Sequence, residues 1–496
     1  MKKLVSSLLL GAMIFAFADV QARNVSEAEA RSAAAYYFSL NATQVKDDAL
    51  TLVHQIDNME LGVPECYMYN VENGGWIIMA GSALITPVVA YSEEGRLPDT
   101  YTDLPENMRW WVNGYADMIG DIQAADAEGK YEDYIGWTNL LEKRLNPSKT
   151  ASSVVLVRTK WDQGQPNKPS YNKFCPKVNG KYCYTGCVAT AMAQIIRYWE
   201  CPAQPEGIVS HSWRGTTLEI NSDTVHFDYS LMPISITDAY GQVNVPVEQV
   251  DQVAMLNYFA GVSVYMDYDI GEGSGTQSRY VPSAFLTNFR YVKSKMINRA
   301  GNNDTSFVGR VRRNLESKCP VYFSGTSSIG GDAHAAGHAW VCGGYKTDDE
   351  NPDNNNMVLM NWGWSGSGNG WFNLMTNNME MSVSYTRYNF NDNQSAIVGL
   401  YPVSADSTVV DFLGVPEVED YTELAPAYPN PATLSVMLPY EITSAAEMVV
   451  YSIDGKVVTT RSLQPGEGTV KLNVSDMPSG IYIYRVGGKS GKFMVQ

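Results

Sequence analysis

The chain has 496 residues and a formal net charge of −17, so it is too long for one ordinary domain, and length alone suggests about three. Acidic residues are spread along it, which argues against nucleic acid or an anionic membrane surface as a partner. Hydrophobic content of 45% and the lack of low-complexity tracts exclude a disordered chain.

The first residues assign the compartment. Lys2 and Lys3 form a positive n-region, Leu4 to Phe17 an apolar h-region, and Val20-Gln21-Ala22 a small-residue cleavage site, so residues 1–22 read as a secretory signal peptide. No later segment approaches the ~20 apolar residues of a spanning helix. No membrane span is expected, and the mature protein should be secreted. Seven cysteines is an odd number for an exported protein, so at least one thiol stays free or pairs with another chain.

From Ser26 the segment SEAEARSAAAYYFSL predicts a helix with a capping box, Ser26 as cap and Glu29 three residues on. Alternating apolar residues at Cys66 to Asn70 and Trp76 to Met79 flank Glu72-Asn73-Gly74-Gly75, a hairpin signal. A third strand is expected at Val88 to Tyr91 and a helix from about Asn107 to Gln123. The region as far as about Lys149 is a small α+β unit without a reactive constellation.

Chemistry concentrates between about Ser152 and Ser404. In Tyr182 to Trp199, the residues Val188, Met192, Ile195, Ile196 and Trp199 recur at helical period, predicting a buried amphipathic helix. Thr185 is a candidate N-cap, which puts Cys187 in the first turn, where free N–H groups and the macrodipole favour an anion. A thiol held there ionises easily, and the thiolate is the nucleophilic form. Cys183 and Cys187 resemble a loose metal pair, but there are only five histidines and no HExxH, so no metal or other cofactor is expected. Helices are expected at Val247 to Phe259 and Phe307 to Leu315, with VSVYMDY between them as a strand running into a Gly/Ser loop. Strands resume at Pro320 to Ser324.

Two apolar runs, Gly337 to Cys342 and Met357 to Trp362, are joined by a segment rich in Asp, Asn and Pro and predict an antiparallel hairpin. A loop centred on Asp349 and Glu350 would place Trp340 opposite Leu359 and His338 opposite Asn361. Cross-strand partners lie about 5 Å apart, so an Asn oxygen could accept from one imidazole nitrogen and leave the other for a thiolate. A Cys nucleophile, a His base and an orienting Asn are a known peptidase arrangement. His334, in the loop Gly330 to Ala336, competes for the role of base. The Cys187 backbone N–H is one oxyanion donor, and Gln163 or Gln165 could supply a side-chain amide. Trp362 and Trp364 are candidates to shield the pair from water.

The ordered set DQGQP, YN, CP, GCVATAMAQIIRYW, SVYMDY, GHAWV, NWGW and QSAIVGLYP resembles the streptopain family of papain-like cysteine peptidases. The resemblance implies Cys187 as nucleophile, His338 as general base and acid, Gln163 as the oxyanion-hole amide, and Asn361 and Trp362 as supports of the histidine. It implies secreted endopeptidases that favour a hydrophobic residue at the second position before the cut bond. It also implies a zymogen, since YMYNVENGGWIIMAGSALITPVVAYS resembles propeptide strands that dock on the sheet half and displace the histidine. The His loop is longer than the family pattern, with Asp332 and His334 inserted.

From about Glu419, short alternating strands with tight turns predict a small β-sandwich. YPNP, DGK, SGIYIYRV and a basic end resemble the C-terminal sorting domains of type IX secretion cargo. The expected fold class is α+β: signal peptide 1–22, α+β inhibitory propeptide 23–150, papain-like two-part peptidase 151–404, linker 405–418, and β-sandwich sorting domain 419–496. Expected partners are protein and peptide substrates, the chain's own propeptide as inhibitor, and the secretion machinery. The final location would be extracellular or on the outer cell surface. A surface adhesin on a degenerate peptidase scaffold is the alternative.

Overall fold

A computed structural model of the chain describes all residues except 1–23, 42–44, 126–131, 147–150, 239–240, 272, 300–304, 327–336, 375–393, 406–426, 443–444, 453–455 and 487–488. The signal segment, the expected linker beyond residue 405, and Asp332 and His334 thus lie outside the described residues. The chain divides into two compact units, Met1–Leu413 and Gly414–Gln496.

The first unit opens with the capped helix Glu27–Asn41, where Ser26 N–H donates to Glu29 Oε2 and Glu29 N–H to Ser26 Oγ. Strands Leu50–Asn58, Val63–Val71, Trp76–Ala80 and Val88–Ser92 then follow as an antiparallel meander. Gly74 and Gly75 hold positive φ in the expected hairpin turn.

This meander continues into the sheet formed by the later strands, in the order Gly370–Asn373, Met357–Asn361, Gly337–Thr347, Val321–Thr326, Ser395–Val398 and Lys295–Asn298. The seam is short, Trp371 opposite Tyr91 and Phe372 opposite Ala90. Alternation along the strands separates two cores. Trp340, Cys342 and Met360 share one with Trp76, Tyr91 and the helix Glu106–Ala125, whereas Ala339 and Val341 share the other with Cys187, Met192, Ile195 and Phe259.

The helix of Cys187 runs from Cys187 to Trp199, and every residue from Cys187 to Ile196 is buried. The apolar stripe is therefore wrapped on all sides. VSVYMDY is not a strand. Val262 and Ser263 finish the helix Val247–Ser263, and only Asp267 bridges, to Gly275. Val264, Met266 and Tyr268 are buried while Tyr265 is exposed, so the alternation is that of an extended segment packed on the core without a partner strand.

The second unit pairs Ser435–Ile442 with Gly466–Asn473, and orders Val457–Leu463, Ala446–Ser452, Gly480–Val486 and Lys489–Val495 in a four-stranded sheet. Leu438, Val450, Tyr484 and Phe493 fill its core. The expected hairpin is present, Ala446–Ser452 against Val457–Leu463, although its Asp-Gly turn lies outside the described residues.

Candidate active site

Cys187 is the first residue of its helix, 8% exposed. The residue before it, Gly186, is the cap, at φ 87°, and it offers no side chain to the helix. Thr185 does not cap; its Oγ1 pairs with Thr190 Oγ1 at 2.9 Å. Glycine is needed here for space as well as for φ, since a Cβ on Gly186 would lie 2.7 Å from Met266 Sδ and 2.9 Å from Ser274 O.

Burial acts to raise the Cys187 pKa, but the nearby His338 imidazole, with the Ala339 and Val188 N–H groups, outweighs it and holds the thiol below its ordinary value. Burial likewise disfavours charge on His338. Cys187 and then Glu106 overcome this and push the imidazole up to about 9. The side chains favour a thiolate and an imidazolium.

Glu106 comes from the first turn of the helix Glu106–Ala125. Its Oε2 lies 3.0 Å from His338 Nε2, and the Trp110 ring sits 4.6 Å from the imidazole. His338 holds the Glu106 carboxyl below its usual range. Next to them, Asn107 Nδ2 donates to Trp362 O at 3.0 Å, and Trp111 packs near the Trp362 ring. The N-terminal segment thus reaches the histidine through a helix, while its strands extend the sheet at the edge. The imidazole is held by this helix, Glu106 on Nε2 and Trp110 against the ring.

The predicted register is not observed. Asn361 lies opposite Val341, and Val358 opposite Tyr345. The strand of His338 runs on to Thr347, and the reversal begins at Asp348, whose Oδ1 accepts from the N–H groups of Glu350 and Asn351 before a 3₁₀ turn at Pro352–Asn356. An odd slip exchanges the faces of a strand. Asn361 therefore points to the side of the Cys187 helix, where Nδ2 donates to Thr159 O and Gln194 Oε1 and Oδ1 accepts from Gly363 N–H. None of these bonds reaches His338. Trp362 is fully buried, its indole N–H on Gly368 O and its ring 5.3 Å from Trp340. Trp364 is 36% exposed.

Gln163 is half-buried, and its carbonyl accepts from Thr185 N–H at 3.0 Å, which ties its loop to the chain entering the Cys187 helix. Gln165 is exposed. Asn172, fully buried, braces this loop by donating to Gln165 O and Cys183 O and accepting from Ser170 N–H. The seven cysteines are all free thiols, and no group of metal-binding side chains occurs among the described residues.

A cysteine at a helix start near a histidine is an arrangement that thiol proteases use, and comparison with known proteins points to the same class. Residues 161–372 match the Peptidase C10 family. Ahead of that match, residues 22–119 match the family described as Spi protease inhibitor, and after it residues 426–496 match the secretion system C-terminal sorting domain. Streptopain of Streptococcus pyogenes is 28% identical over 431 residues, which are 81% of this chain and 98% of streptopain. The thiol protease/hemagglutinin PrtT of Porphyromonas gingivalis is 25% identical, over 80% of this chain and 44% of PrtT. A prointerpain A fragment of Prevotella intermedia superimposes with a TM-score of 0.51 at 21% identity, covering 71% of this chain and 99% of the fragment, and shows the shared fold.

The sorting domain assigns the protein to export, with an extracellular or cell-surface location. No helix among the described residues is long and apolar enough to cross a membrane. Sequence reasoning missed Glu106, Trp110 and Gln194. Glu106 follows Pro105 at a helix start, where an acid has an ordinary capping explanation, so no local signal marks it as a histidine partner.

Proposed function

We propose that the chain is a secreted cysteine endopeptidase made as a zymogen, with residues 23–150 as inhibitory propeptide, 151–404 as peptidase and 419–496 as sorting domain. The Cys187 thiolate attacks a peptide carbonyl, and the imidazolium of His338 gives its proton to the leaving amine. Water, deprotonated by the same histidine, then hydrolyses the acyl-enzyme. The Cys187 N–H and the Gln163 side-chain amide stabilise the oxyanion. Asn361 and Trp362 support the histidine through the turn they build rather than through a direct hydrogen bond.

What supports this function is Cys187 at the start of a buried helix and, near it, His338, whose Nε2 meets the Glu106 carboxylate at 3.0 Å. In the zymogen, Glu106 and Trp110 cover the imidazole that substrate must approach, and release of residues 23–150 uncovers it. Protein substrates are the partners of the mature enzyme, and the secretion machinery that of the sorting domain.

The test is incubation of the full chain and its Cys187→Ala variant at neutral pH under reducing conditions, following mass and casein hydrolysis. Shortening near residues 145–155 with casein digestion, both lost in the variant, is the expected result. A wild-type chain that neither shortens nor hydrolyses casein, even after limited digestion of its N-terminal segment, overturns the proposal.

A further inference from the structure

Gln194 lies seven residues after Cys187, two turns along one face of the same helix. It is fully buried. Its Oε1 accepts from Thr159 Oγ1 at 2.8 Å and from Asn361 Nδ2 at 2.9 Å. Nε2 has no hydrogen-bond partner among the described residues. A buried amide with an unused donor costs stability that an apolar side chain of equal size would not, so its acceptor needs a reason.

Backbone groups supply that reason. Asn361 Nδ2 also donates to the Thr159 carbonyl at 2.6 Å, and Asn361 Oδ1 accepts the Gly363 N–H at 3.2 Å. A carbonyl at one end and an N–H at the other leave the Asn361 amide a single orientation. Gln194 can then face it only with an oxygen. The turn Asn361–Gly363 is thereby fastened to the cysteine helix, and Thr190 on the same helix face would be 3.4 Å from a Cβ on Gly363. From the other side of that turn, Trp362 packs on Trp340, two residues along the strand from His338.

We propose that Gln194 is a positioning residue for the Cys187–His338 pair, locking the helix of the thiol to the turn that packs against the histidine strand. The proposal rests on the peptidase function above. Without the Gln194 acceptor, the turn and the helix shift against each other, the thiol and imidazole separate, and the thiolate loses its cation.

The test uses the full chain carrying Gln194→Met, which keeps the volume and removes the acceptor, and Gln194→Glu, which keeps acceptor oxygens. Alkylation of Cys187 by iodoacetamide is followed by peptide mass as a function of pH, together with Tm, and kcat and KM are measured once residues 23–150 have been released. Gln194→Met is expected to move the alkylation midpoint up toward that of an ordinary thiol and to lower kcat at least tenfold at near-constant KM, and Gln194→Glu to recover part of both. A fall in Tm with unchanged midpoint and kcat overturns the positioning role, because that is all a structural amide would give. If Gln194→Met does not fold, Thr159→Val removes one donor to the same acceptor and should move the midpoint in the same direction; no movement overturns the proposal. A wild-type chain with an ordinary thiol profile and no hydrolysis sinks the peptidase function itself, and the positioning role with it.

Discussion

The carboxylate of Glu106 sits 3.0 Å from Nε2 of His338, across 232 residues of sequence, and it occupies the nitrogen that faces the N-terminal segment. Glu106→Gln keeps an acceptor but removes the charge. The Glu106 side chain is 39% exposed, so solvent screens the pair and about 1 kcal/mol, roughly fivefold in an opening equilibrium, is the expected loss. Processing of the full chain at neutral pH should accelerate by about that factor. An unchanged rate, measured by mass over time, would remove Glu106 from the inhibitory contact.

The same pair has a pH window. Glu106 is held below its ordinary 4.5, so its contribution is complete above that pH and is lost as pH falls through the lowered value. His338 is raised to about 9, so its contribution is complete below 6.5 and fades as pH rises through about 9. Opening of the Glu106–His338 contact, read in the Cys187→Ala chain as cleavage of the N-terminal segment by an added protease, should be slowest between these limits and rise on both sides, and Glu106→Gln should flatten the acid limb.

A second pH dependence runs through the N-terminal segment. Burial first, then the charge of Asp117 and more weakly Asp121 and Asp57, push the Glu65 carboxyl up to about 7. Asp117 is raised to about 6 by burial and Asp121. A carboxyl raised above its unfolded value stabilises the fold at low pH and loses that contribution as pH climbs, here between about 4.5 and 7. Thermal unfolding of the Cys187→Ala chain should show higher Tm at pH 5 than at pH 8. Glu65→Gln should remove on the order of 2 kcal/mol of that difference; a flat profile in the parent chain would count against the cluster.

Gly186→Ala puts a methyl 2.7 Å from Met266 Sδ in a backbone with φ 87°. Strain and clash together should cost about 2 kcal/mol or more and move the first turn that holds Cys187. Tm and thiol alkylation rate should both fall. Loss of stability with an unchanged alkylation rate would mean that the helix start does not set the reactivity.

Asn172→Leu leaves the Gln165 and Cys183 carbonyls without their donor in a buried site, at about 1–3 kcal/mol. The loop bearing Gln163 should loosen, lowering kcat more than it raises KM. An equal change in both would argue that the loop binds substrate without stabilising the oxyanion.

The sequence by itself determined most of the elements and singled out the side chains proposed to react. The Ser26 capping box, the glycine turn before Trp76, the apolar stripe behind Cys187 and the strand of His338 are each encoded within about a dozen residues, because caps, turns and periodicity act at short range. Tertiary structure decided who meets whom. Asn361 bonds Gln194 instead of His338 because the reversal starts at Asp348 and extends the strand, and an odd change of register turns a side chain to the other face of the sheet. Glu106 meets His338 because four N-terminal strands dock on the sheet edge at Trp371 and Phe372 and carry a helix onto the site. Neither partner leaves a local trace, since the energy that selects it comes from burial and hydrogen bonding between segments far apart in the chain.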